Sequence, residues 1–141
     1  MENKKFTLDL FPAAMAVCRM HAKAPFPKWP EESEILLMMR TPEEVTVVCA
    51  EVLVPKGIIA ERDFRILKIH GPLDFNIIGI IASMTKILAE ANISVFAFST
   101  YDTDYFMVKE KDLDRALAVL YKAGHTVVVL KNNVKGQFSD K

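Results

Sequence analysis

Residues 93–109 read ISVFAFSTYDTDYFMVK, and the fold turns on this stretch. Apolar side chains dominate 93–98 and 105–108, and between them lies the polar run Thr100, Tyr101, Asp102, Thr103, Asp104. Two short apolar segments around a threonine- and aspartate-rich break predict a β-hairpin, with strands at 93–99 and 105–109. Within it, Phe96, Phe98, Phe106 and Val108 stand at alternate positions opposite Val95, Ala97 and Met107. Both faces of these strands are therefore apolar, whereas a sheet wetted on one side alternates with polar residues. Something is expected to cover the second face or extend the edge: the amino-terminal half, another subunit, or both.

Downstream, 111–123 is amphipathic, with Leu113, Ala116, Leu117 and Leu120 on one stripe and Gly124 as its stop. The β-branched segment 126–130 closes the pattern as a strand. Upstream, Ile77, Ile81, Met84, Leu88 and Ala91 lie four, three, four and three residues apart, which predicts a helix over 74–91. Asp74 is its natural N-cap, and Asn92 tolerates the left-handed conformation that ends it. Before Gly71-Pro72, the segment 64–70 is a strand apolar on most of both faces. The order β-α-β-β-α-β is an α+β, ferredoxin-like arrangement: a four-stranded antiparallel sheet with both helices on one face.

The first half resembles a reduced copy of the second. A strand at 35–40, the turn Thr41-Pro42-Glu43-Glu44 and a return strand at 45–49 repeat the strand, Thr-led acidic turn and strand of 93–109. Pro25, Pro27 and Pro30 forbid a long helix over 20–34. The expected organisation is an amino-terminal lobe at 1–62, a domain at 63–131 and a polar tail at 132–141.

Of the 141 residues, 51% are hydrophobic and 26% charged, a globular composition. Lys plus Arg and Asp plus Glu each number 18, which argues against nucleic acid as a partner and leaves little self-repulsion against association. The longest apolar runs, 13–18 and 77–82, are too short to span a bilayer, and no secretory pattern opens the chain. A cytoplasmic protein with no membrane partner is expected. Cys18 and Cys49 sit in strand-like segments and read as buried free thiols, a disulfide or metal pair being the alternative.

No catalytic residue emerges. His21, His70 and His125 lack partners at metal-ligand spacing, and there is neither a phosphate loop nor a nucleophile elbow. No metal, cofactor or enzymatic activity is therefore expected. Two segments remain. In the loop 70–75, Gly71 lets the backbone approach a ligand, and amides after Pro72 favour a carboxylate. In the turn 100–104, Asp102 and Asp104 can hold an ammonium or guanidinium group. Together they suit a zwitterion, although helix capping explains Asp74 and turn preference explains Asp102 and Asp104 equally well.

Gly71-Pro72-Leu73-Asp74-Phe75 and the run Ser99-Thr100-Tyr101-Asp102-Thr103-Asp104-Tyr105 resemble the ACT domain of the CASTOR-related class. The resemblance is clear over 62–124, and 16–19 with the strand pair around Thr41-Pro42-Glu43 is similar to the amino-terminal ACT-like lobe of small bacterial members. It implies a tandem ACT-like architecture, often paired as a homodimer, that binds an amino acid or similar small molecule. Carried over by position, the ligand contacts are Gly71, Pro72, Leu73, Asp74, Thr100, Tyr101, Asp102 and Asp104. With no catalytic domain fused, such a sensor is expected either to signal to a regulated protein that the sequence does not identify or to act as a store. The competing reading is a protein-interaction module that takes no small ligand.

Overall fold

The computed structural model describes residues 4–71 and 77–131. In chain order the strands are β1 (Thr7–Leu10), β2 (Met15–His21), β3 (Leu37–Arg40), β4 (Glu44–Ala50), β5 (Ile59–Ile69), β6 (Phe96–Ser99), β7 (Asp104–Lys109) and β8 (Thr126–Val129). The helices are α1 (Ile80–Glu90) and α2 (Leu113–Lys122), and single 3-10 turns occupy Glu51–Leu53 and Glu110–Asp112. No helix among the described residues is long and apolar enough to cross a membrane. The chain forms two compact units, one of residues 13–64 and the other of the chain before and after them.

The larger unit contains β1, the last five residues of β5, α1, β6, β7, α2 and β8. Its strands run β6–β7–β5–β1–β8. The expected β-α-β-β-α-β order over 64–130 is present, with one strand added. β1 pairs antiparallel with β5 (Leu8 opposite Ile69) and parallel with β8 (Leu8 opposite Val127), so it sits between the first and last strands of the motif. Residues 4–12, expected to belong to the amino-terminal lobe, thus join this unit. The cause is the period-2 pattern of 7–10: Leu8 and Leu10 are buried in one core with Leu67, Ile69 and Val127.

That core also takes Phe106 and Val108 from β7, Ile80, Met84 and Leu88 from α1, and Leu113, Ala116 and Leu120 from α2. The hairpin register corrects one expectation. Phe96 lies opposite Met107 and Phe98 opposite Tyr105, while Ala97 lies opposite Phe106. Phe96 and Phe98 therefore share a face with Tyr105 and Met107, not with Phe106 and Val108. Both faces are apolar, as expected, but the partners change, because directly opposed residues share a face.

α1 also differs from its expected span of 74–91. It begins at Ile80, and the position before it is Gly79 at φ 89°, a left-handed conformation that stops a helix from running back through 77 and 78. Asp74, the expected N-cap, lies outside the described residues, and Gly79 holds the cap position instead. The buried stripe is Ile80, Met84 and Leu88, with Ile81 at 40% exposure. Of the expected stripe, Met84 and Leu88 are buried and Ile77 and Ala91 pack against the same core, while Ile80 takes the place expected of Ile81. The expected ends hold: Asn92 adopts φ 61° after α1, and Gly124 φ 99° after α2.

In the smaller unit, β3, β4, β2 and the first six residues of β5 pair antiparallel in that order. Its core comprises Ala16, Cys18, Val45, Val47 and Cys49, with Trp29, Leu36, Met38 and Ile58 packed against it. Both cysteines are free and buried. The hydrogen bond with Cys18, and then burial, push the Cys49 thiol far up. The proline-rich segment after β2 contains turns, closed by Ser33 N–H donating to Pro30 O and Glu31 N–H to Lys28 O, and no helix.

Candidate functional site

The turn 100–104 closes on itself before it offers anything to a ligand. Thr100 N–H donates to Thr103 O at 2.8 Å, and the Thr100 hydroxyl donates to the same oxygen at 3.2 Å while accepting from Thr103 N–H at 3.3 Å. The Thr103 side chain, 4% exposed, donates to Ile69 O at 2.6 Å, which ties the turn to the end of β5. Ser99 Oγ donates to Asp104 Oδ1 at 2.6 Å. These bonds fix the backbone, leave Asp102 exposed and hold the half-buried Asp104 in a set orientation.

Facing this turn is the amino end of α1. The first amide bonded within the helix is Ser83 N–H, which donates to Gly79 O at 2.8 Å. The amides of Ile80, Ile81 and Ala82 thus have no intrahelical acceptor. Among the described residues no side chain caps the helix, and its first turn carries no carboxylate. Ile77, Gly79, Ile80, Ile81 and Ala82 line an open cleft of about 460 Å³ together with Ser99 and residues 100–104. Amide donors at a helix terminus stand on one wall and carboxylates on the other. A helix amino terminus attracts an anion, and carboxylates attract a cation.

The surroundings of Tyr105 show how acidic this end of the unit is. Burial, and then the charges of Asp102 and Asp9, push its phenol up. Asp9, on β1, is 6% exposed and lies 3.1 Å from His70 Nδ1. The Tyr105 ring stacks on Phe98 at 5.0 Å and 5°, and Phe98 meets Phe96 edge-on at 6.2 Å.

Of the eight residues singled out in the sequence, Thr100, Tyr101, Asp102 and Asp104 line the cleft. Gly71 is half-buried just beyond β5 and does not line it. Pro72, Leu73 and Asp74 lie outside the described residues. On the helix side the described residues that line the cleft are Ile77 and Gly79 to Ala82, while the segment expected after Pro72 lies outside the described residues. Sequence reasoning missed Ile80, Ile81, Ala82, Ser99 and Thr103. The available signal was Gly79 inside an otherwise helical pattern. Among the described residues no group of His, Cys, Asp or Glu is placed to hold a metal ion.

A family model described as ACT domain matches residues 59–122, and a second, described as an N-terminal domain, matches 13–57. No curated protein sequence matches the chain. Among solved structures, an Agobacterium tumefaciens protein shares 25% identity at a TM-score of 0.86, over 92% of this chain and 96% of that one. A Vibrio cholerae protein of unknown function, described as a possible transport protein, shares 20% identity at 0.70, over 86% and 91%. The ligand-free regulatory subunit of aspartate kinase from Thermus thermophilus shares the fold at 10% identity and a TM-score of 0.59, over 86% and 99%. The strand order, the helices on one face and the match over 59–122 agree: the fold is ACT-like, and residues 59–122 match an ACT domain.

Proposed function

We propose that this protein is an amino-acid-binding regulatory module of the CASTOR-related class, built from an ACT domain and a reduced ACT-like amino-terminal lobe. The ligand lies in the cleft between α1 and the turn 100–104. The amides of Ile80, Ile81 and Ala82 receive its carboxylate, and Asp102 and Asp104 its ammonium. The observation that carries this reading is a helix end with no side-chain cap among the described residues, opposite two aspartates across a cleft of about 460 Å³, a volume suited to a small ligand. Thr100 and Thr103 act as struts for the turn, and Tyr101, 86% exposed, stands at the mouth. The protein acts without catalysis in the cytoplasm, as a homodimer, by shifting the population of lobe or subunit arrangements towards the one that binds ligand better, and so signals to a regulated protein.

A thermal-shift screen against the twenty amino acids tests this. One amino acid should stand out, and at about a hundred times its dissociation constant it should add roughly 2.7 kcal/mol of stability. A flat response to all of them would overturn the reading.

A further inference from the structure

A second recess adjoins this cleft at Ala82, and its chemistry is of the opposite sign. Lys4 and Lys5, just before β1, Ser83 and Lys86 on α1, and His125 after α2 line a cavity of about 490 Å³. Residues some eighty positions apart in sequence thus bring three lysines to this recess, with Glu90 as the carboxylate among the lining residues. Lys86 approaches Glu90 only to 3.7 Å, both side chains being mostly exposed, and Lys5 Nζ donates to Ala123 O at 2.9 Å. Lys4 and the Ser83 hydroxyl have no protein partner among the described residues.

The decisive group is His125. It is 4% exposed, and its Nδ1 accepts from Phe6 N–H at 3.0 Å while the ring stacks on Phe6. A ring that accepts at Nδ1 carries its proton on Nε2. That N–H has no partner among the described residues, although a buried donor ordinarily finds one. Burial and the charge of Lys5 lower the imidazole's affinity for a second proton, so the ring stays a neutral, one-sided donor.

We propose that this recess binds the phosphate group of a small phosphorylated molecule. A phosphate dianion has several acceptor oxygens, enough to engage ammonium groups, a hydroxyl and the buried imidazole N–H together, and it relieves the mutual repulsion of the lysines. A monocarboxylate has too few acceptor sites to use this set. This recess meets the amino-acid cleft at Ala82, which lines both, but none of the lysines, the Ser83 hydroxyl or the imidazole assigned to phosphate lines that cleft.

The test is a titration of the intact protein with inorganic phosphate, followed by nitrogen-15 resonances of the histidine rings and by calorimetry. Phosphate should move the His125 Nε2 resonance and saturate with one site. Lys86→Gln and Lys4→Gln, both at exposed positions, should each weaken binding roughly tenfold, the scale of one charge-assisted hydrogen bond. Asp102→Asn should leave phosphate binding unchanged, which separates this site from the cleft. An unmoved His125 resonance, equal affinity in both lysine variants, or a response confined to succinate would each overturn the proposal.

Discussion

At the scale of single residues, the turn 100–104 divides into side chains that build it and side chains that it displays. Thr103 builds: its buried hydroxyl is a hydrogen-bond partner of Ile69 O, so Thr103→Val should cost about 1–3 kcal/mol in urea unfolding. Asp102 is displayed. Asp102→Asn should leave the unfolding midpoint near that of the parent while weakening amino-acid binding by roughly tenfold or more in calorimetry. Asp104→Asn keeps an oxygen for Ser99 but loses the charge, and should weaken binding comparably. If both variants bind as the parent does, the ligand is not held by this turn. His125 gives a pH signature. Burial, then Lys5, hold its folded-state value below the ordinary 6.5, so the unfolded chain takes up the proton first as pH falls. Its contribution is complete above about 6.5 and is lost progressively below that value. The melting temperature of the parent should therefore drop more steeply from about pH 7 to pH 5 than that of His125→Phe, which keeps the ring stack on Phe6 and removes the titration.

Elements were legible where a residue type left the backbone one choice. Gly124 and Asn92 mark the helix ends, three prolines exclude a helix after β2, and the acidic, threonine-led turns mark the hairpins. Both hairpins close in a similar way: Thr41 Oγ1 accepts from Glu43 and Glu44 N–H, as Thr100 Oγ1 accepts from Thr103 N–H. Legibility failed where the pattern was degenerate or the partner remote. Five apolar or glycine positions in a row at 77–81 left the first turn of α1 ambiguous, and spacing put Ile81 in the stripe where the structure buries Ile80. β1 is four residues long, and only its place between β5 and β8 shows which unit it serves. Half of the candidate site was readable for the same reason. Asp102 and Asp104 announce a turn, but the amides opposite them depend on where a helix starts. The frame of α1 can be tested by truncation. Ile80→Ala should cost about 2–5 kcal/mol, because Ile80 is 6% exposed, and Ile81→Ala should cost far less at 40%. Equal costs in denaturant unfolding would mean that Ile80 does not take the place expected of Ile81.

At the scale of the whole molecule, the question raised by the two-faced hairpin is what Phe96, Phe98 and Tyr105 are for. The helices pack against the other face, through Phe106 and Val108, so this aromatic row contributes nothing to that core. Phe98 stacks on Tyr105 and is only half-buried, and an apolar face left wet loses roughly 25 cal/mol for each Å² it could have covered. Association of copies is the economical way to recover that free energy in a chain whose net charge is zero, since little repulsion opposes it. Phe98→Asp places an uncompensated charge in the row without touching the helix-side core. The parent should sediment as a dimer and Phe98→Asp as a smaller species, with a melting temperature lower by several degrees, as expected for a loss of one to a few kcal/mol. Adding the amino acid identified in the screen should shift the parent's dimer equilibrium if binding and assembly are linked, and by reciprocity dilution of the dimer should then weaken the amino acid's binding. Unchanged sedimentation and melting in Phe98→Asp would mean that the row needs no cover, and the protein would act as a single chain.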